Sequence, residues 1–113
     1  MTTFRKERMG EAIRKVVSEK ITRDGLQIPQ GMVTINRVDV APDYGVAKIF
    51  YSIFGADVNE REAETLMKEH QREFRHEISQ KLNLRRTPKI EFCFDKNIEY
   101  AARIERLLSE ESR

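Results

Sequence analysis

Two runs rich in β-branched and aromatic residues, 33–40 and 46–54, are separated only by Ala41-Pro42-Asp43-Tyr44-Gly45. So short a connection allows an antiparallel hairpin and nothing else, because parallel pairing needs a crossover of a dozen or more residues. Pro presets the turn backbone, and Asp and Gly suit it. A hairpin alone is marginal in water, so one of its faces must be covered. In the second run Ala47, Ile49, Tyr51 and Ile53 share one face, with Lys48, Phe50 and Ser52 on the other. In the first run the alternation slips: Val33 and Ile35 fall on one face, Val38 and Val40 on the opposite one. A bulge near Asn36-Arg37 restores a single apolar face.

The rest of the chain supplies the cover. Met9, Ala12, Ile13, Val16, Val17 and Ile21 recur at helical spacing and predict an amphipathic helix over residues 4–23, ended by Asp24-Gly25. Residues 27–31, with Pro29, read as a linker. Asp57-Val58-Asn59-Glu60 is a helix start, with a Glu three residues after a capping side chain. Ala63, Leu66, Met67, His70, Phe74, Ile78 and Leu82 then mark one stripe about twice the length of an average helix. A bent helix, or two in series, is therefore expected. After Pro88, Ile90, Phe92 and Phe94 alternate with Glu91, Cys93 and Asp95 as a third strand. Ile98, Ala101, Ala102, Ile104, Leu107 and Leu108 mark a short C-terminal helix. This order predicts a small α+β fold, a three-stranded sheet with helices packed on one face. At 113 residues there is room for one domain.

Charge narrows the function. Lys plus Arg number 21 against 19 Asp plus Glu, and a net charge of +2 excludes a histone-like tail or an acidic disordered chain. The near-neutral sum hides segregation. Between residues 81 and 90 the cations Lys81, Arg85, Arg86 and Lys89 meet no acid, and residues 5–23 hold seven cations against three acids. Such a stripe is an electrostatic footprint for a phosphate backbone, although a solvated face is the commoner meaning of a charge run. Arg72 and Arg75 share a helix face but are interleaved with Glu69 and Glu73, so a salt-bridged surface is an equal alternative there.

Other chemistry is sparse. The single cysteine, Cys93, excludes a disulfide framework or a cysteine-based zinc site and suits a reducing compartment. No apolar run approaches the roughly 18 residues of a membrane span. Glu7, Glu11, Glu19 and Asp24 argue against an acid-poor transit peptide, so a cytoplasmic location is expected. His70 reads as a packed boundary histidine, and His76 has no Asp or Cys partner at ligand spacing, so no metal is expected. Cys93 has no sequence-local base. There is no phosphate-binding glycine loop, dinucleotide fingerprint or nucleophile elbow, and neither an enzyme nor a cofactor is expected. Phe50 and Phe54, opposite the main apolar set, suit a stacking platform for bases or, more commonly, cover by a terminal segment or a partner.

The stretch Val33-Thr34-Ile35-Asn36-Arg37-Val38-Asp39-Val40-Ala41-Pro42-Asp43-Tyr44-Gly45-Val46-Ala47-Lys48-Ile49-Phe50-Tyr51 resembles the strand–turn–strand of the bacterial ribosome-binding factor A family. Thr87-Pro88-Lys89-Ile90-Glu91-Phe92-Cys93-Phe94-Asp95 is similar to the family's Pro-x-Leu-x-Phe-x-x-Asp, and Ile104-Glu105-Arg106-Leu107-Leu108 to its closing Ile-x-x-Leu-Leu. Arg8 followed by Ala12-Ile13 suits its Arg-led opening. The resemblance covers nearly the whole chain, in order. It implies a type II KH-like fold and a single KH-like rRNA-binding domain over residues 1–113. It implies binding to the small (30S) ribosomal subunit during late maturation of 16S rRNA, near the region where the rRNA 5′ end folds. It also implies a need greatest in the cold, and action by holding an RNA conformation rather than by catalysis. Where this family carries Ala-x-Gly in a kinked helix pair, the sequence has His70-Gln71-Arg72. A milder or displaced kink is therefore expected, with Arg72 adding a phosphate contact.

On this reading Arg72, Arg75, Lys81, Arg85, Arg86 and Lys89 contact phosphates, with Arg5, Lys6, Arg8, Arg14 and Lys15 as a second set. The expected partner is the small subunit and its pre-16S rRNA, with no DNA and no membrane, and the chain is expected to act as a monomer. The rival is a protein–protein interaction module that uses Phe50 and Phe54 on the outer sheet face, without direct RNA binding. A small α+β phosphatase could find an anion site in the basic segment but has no second catalytic component.

Overall fold

The computed structural model describes residues 2–25, 32–54 and 59–95. The expected linker over 27–31 and the C-terminal helix over 98–108 lie outside the described residues. The order is α1 (Thr2–Asp24), β1 (Met32–Val40), β2 (Val46–Phe54), α2 (Glu60–Glu69), α3 (Gln71–Leu82) and β3 (Lys89–Phe94). The α+β class and the three-stranded sheet are as expected, and the predicted long helix is two helices in series.

The hairpin forms as its sequence requires. Ile35 pairs with Tyr51 and Arg37 with Phe50, so Asn36 is the extra residue of a bulge. That one residue returns Val38 and Val40 to the face of Val33 and Ile35. In the turn the Tyr44 N–H donates to the Ala41 carbonyl at 2.8 Å, and the Gly45 N–H to Asp43 Oδ1 at 2.9 Å. The β3 strand joins β2 in parallel, giving a mixed sheet in the order β1-β2-β3.

The core lies between the inner sheet face and the helices. Ile13 and Val17 of α1, Met67 of α2 and Ile78 of α3 are fully buried with Ile49 and Tyr51 of β2 and Ile90 of β3. Phe74 and Phe92 meet edge to face at 5.3 Å, and Tyr51 meets Phe94 in the same way at 5.7 Å. Such offset geometry adds to the burial of the rings. α1 ends at Gly25, whose φ of 74° is easy only for glycine and whose N–H reaches the Ile21 carbonyl. α2 starts on Asn59, whose Oδ1 accepts from the Glu62 N–H at 2.8 Å. Glu62 Oε1 in turn accepts from the Asn59 amide at 3.2 Å, a reciprocal variant of the capping box.

The break between α2 and α3 falls on His70 itself, not elsewhere. Its φ of −95° and ψ of 0° lie in the bridge region, which needs no glycine. Its N–H donates to the Met67 carbonyl, and its own carbonyl accepts from the Phe74 N–H. No helix among the described residues is long and apolar enough to cross a membrane.

Candidate nucleic-acid interface

The sheet order sends β1 and β3 to opposite edges. α1 packs over β1, and α2 and α3 pack over β3, so the fold sorts the cations to two sides.

On the β3 side, Lys68 from α2, Arg72 and Arg75 from α3 and Lys89 from β3 surround a recess of about 600 Å3, which Gln71 and Ile90 also line. Two polar ties fix this wall. The Gln71 side-chain amide donates to the Ile90 carbonyl, joining the start of α3 to the edge strand. Arg75 donates through Nε to the Pro88 carbonyl at 3.4 Å and through Nη2 to the Thr87 carbonyl at 3.1 Å. Lys81, Arg85 and Arg86 are exposed on the last turn of α3 and in the connection to β3. Among the described residues, none of Arg72, Arg75, Lys81, Arg85, Arg86 and Lys89 pairs with a carboxylate.

The acids that interleave Arg72 and Arg75 in sequence lie elsewhere. Glu69 and Glu73 line a different recess with Lys20, Asp24 and His70, between α1 and the α2–α3 break. Glu73 Oε2 lies 3.5 Å from His70 Nδ1. The helical period thus separates the carboxylates from the arginines, and the salt-bridged surface is not formed there.

The α1 side differs. Lys6 shares a recess with Glu7, Val38, Asp39 and Val40 beside β1. Arg14 bridges to Glu11, which holds that carboxyl below its ordinary range. Lys20 reaches Asp24 at 2.8 Å, and Arg23 reaches Asp24 at 2.9 Å and Glu77 at 3.3 Å. Arg37 lies 3.6 Å from Asp39 and stacks 4.1 Å from the Phe50 ring centroid on the outer sheet face. Arg5, Arg8 and Lys15 are exposed on α1 without a carboxylate partner among the described residues. The structure therefore brings Arg72, Arg75 and Lys89 together and leaves Lys6 beside the other sheet edge.

Sequence reasoning missed Lys68 and Gln71. A signal was present for the first: Lys68, Arg72, Arg75 and Ser79 follow same-face helical spacing, although the helix breaks among them. Cys93 is half-buried, and burial pushes its thiol up, away from the thiolate a nucleophile needs. Phe54 and Met32 are exposed at the end of the hairpin.

The family model of Ribosome-binding factor A matches residues 5–108. Ribosome-binding factor A of Gloeobacter violaceus is 37% identical, covering 97% of this chain and 88% of its own. That of Clostridium novyi is also 37% identical, over 96% and 91%. The crystal structure of ribosome-binding factor A from Thermus thermophilus superposes with a TM-score of 0.66 at 18% identity, covering 78% of this chain and 93% of that one. A homology model of the Thermus protein, fitted into a cryo-EM map of a 30S complex, has a TM-score of 0.60 at 21% identity, over 72% and 85%. At such identities these two superpositions speak for the fold.

Proposed function

This chain belongs to the ribosome-binding factor A family, and we propose that it is a ribosome assembly factor that binds the small ribosomal subunit and assists late maturation and processing of 16S rRNA. One observation carries the reading: Lys68, Arg72, Arg75 and Lys89, from α2, α3 and β3, line one recess, and among the described residues none of the four has a carboxylate partner. A relative's fitting into a 30S complex supports the same partner. Lys68, Arg72, Arg75 and Lys89 contact backbone phosphates in the groove, and Arg85 and Arg86 in the connection to β3 extend the track, while Lys81 lies on the Glu77 side of α3.

Binding works by releasing the counterions condensed on the RNA. A cation already held by a carboxylate must give up that partner to do so, whereas an unpaired one need not. The Gln71 and Arg75 ties hold the groove wall before RNA arrives, which lowers the ordering cost of binding. The protein acts as a monomer in the cytoplasm by holding an RNA conformation, without catalysis. Its need is greatest in the cold, where misfolded RNA resolves slowly.

Co-sedimentation with small ribosomal subunits tests this. If about five phosphates are neutralised on a single strand, the salt slope is near −3.5, and affinity falls about a hundredfold between roughly 50 and 200 mM salt. Arg85→Glu with Arg86→Glu should weaken binding and flatten the slope, whereas Phe50→Ser should leave both unchanged. Salt-insensitive binding that survives the charge reversals and disappears in Phe50→Ser would overturn the reading and make the outer sheet face a protein-docking surface.

A further inference from the structure

Beside the groove, Arg72, Arg75, His76, Ser79 and Thr87 enclose a second recess of about 330 Å3. None of its five lining residues is acidic or aliphatic: two are cationic and two carry hydroxyls. At about 30 Å3 per water, it has room for a phosphate group and several waters.

The orientation of Arg75 decides what the recess can hold. A guanidinium has five N–H donors in a fixed plane. In Arg75 one face of this fork is occupied by the Pro88 and Thr87 carbonyls. Carbonyl anchors fix the plane but leave the positive charge uncancelled, unlike the carboxylates that hold Arg14 and Arg23. The remaining donors are free for an oxyanion. The opposite wall is also fixed. Asn83 ends α3 in the left-handed conformation, which asparagine tolerates better than most residues, and turns the chain back. Pro88 is fully buried and pins the connection that carries Thr87. An oriented guanidinium, a second arginine and two hydroxyls match a tetrahedral oxyanion.

We propose that this recess is an anion-binding subsite that takes one phosphate group, with Arg72 and Arg75 supplying charge and Ser79 and Thr87 donating hydroxyl hydrogen bonds. That its occupant is an RNA backbone phosphodiester rests on the function proposed above; that it binds phosphate does not.

The full isotope-labelled chain is titrated with inorganic phosphate at constant ionic strength, read by NMR. Saturable shifts confined to Arg75 Nε and the amides of Ser79 and Thr87 are expected. Ser79→Asp, which puts a carboxylate into the recess, should abolish them. Thr87→Val keeps the shape and the backbone carbonyl and should weaken phosphate about tenfold, the worth of one hydrogen bond to a charged group. Each variant's remaining spectrum should overlay the parent, so misfolding is visible directly. Shifts spread evenly over all lysines and arginines, or unchanged in Ser79→Asp, would overturn the subsite. A single-stranded oligoribonucleotide is then added. Movement of the same resonances, reversed by phosphate, supports a phosphodiester occupant. RNA shifts restricted to Lys68 and Lys89 overturn that occupant and leave free phosphate. Loss of subunit binding with phosphate shifts intact would count against the proposed function alone.

Discussion

The two sides of the sheet carry similar cations with opposite fates. On the α1 side, folding pairs Arg14 with Glu11, Lys20 with Asp24, Arg23 with Asp24 and Glu77, and Arg37 with Asp39, and leaves Arg5, Arg8 and Lys15 spread along the exposed helix. On the β3 side, Arg75 is held by main-chain carbonyls instead, and its charge survives beside Arg72, Lys68 and Lys89 in one recess. A net charge of +2 averages over this contrast and conceals it. Attraction for a polyanion depends on which charges the fold leaves unspent and on whether they share a surface.

The largest expected effect tests that contrast directly. Arg72→Glu with Arg75→Glu should lower affinity for small subunits roughly a hundredfold and reduce the salt slope by about 2. Lys6→Glu with Arg8→Glu, the same change of charge on α1, should cost less than about twofold. Equal losses in a binding titration would erase the distinction between the two sides.

A smaller effect separates stability from binding. Gly10 lets α1 lie directly on β1, and a Cβ there would sit 2.7 Å from the Val38 carbonyl oxygen. Gly10→Ala gains up to about 1 kcal/mol of helix propensity. Forcing the backbones apart costs about 1–3 kcal/mol. The expected net loss is up to about 2 kcal/mol in urea unfolding, with an unchanged salt slope for RNA binding. A changed slope would mean that α1 positions the β3-side cations after all.

Much of this fold was legible because its signals were local. The period-two pattern of β2 and the slip in β1 placed a bulge near Asn36-Arg37, since an unbulged register leaves Val38 and Val40 in solvent, and the pairing puts the extra residue at Asn36. The length of the apolar stripe gave away a broken helix. The residues alone did not mark the break, because His70 adopts a conformation open to any residue and no glycine or proline stands there; the family resemblance pointed to His70-Gln71-Arg72, with a milder or displaced kink expected. Gly10 was invisible for a different reason: its need for a small side chain comes from a strand distant in sequence. The candidate site divides in the same way. Charge segregation could be read along the chain, but Lys68 and Lys89 meet only once the chain has crossed from β2 to β3. The separation of Arg72 and Arg75 from Glu69 and Glu73 needed the packing of α1 to show which helix face was which.

The smallest expected effect asks whether pairing or position silences the α1 cations. Arg23 with Glu77 is, among the described residues, the ion pair that joins two elements. The Arg23 guanidinium holds the Glu77 carboxyl below its ordinary range, and with Lys20 it holds Asp24 well below. A depressed folded-state pKa stabilises above the unfolded value and is lost as pH falls through the folded value. Acid unfolding should therefore be shallower in Glu77→Gln than in the parent, with a minor change at neutral pH, because Arg23 is exposed, Glu77 is only half-buried and salt screens the pair. Adding Asp24→Asn releases Arg23 from both carboxylates. If position matters, affinity for small subunits rises by less than about twofold, since Arg23 lies on the α1 side of α3, away from the groove. A several-fold gain would mean that pairing, not position, silences Arg23, and that it joins the RNA-binding surface once freed.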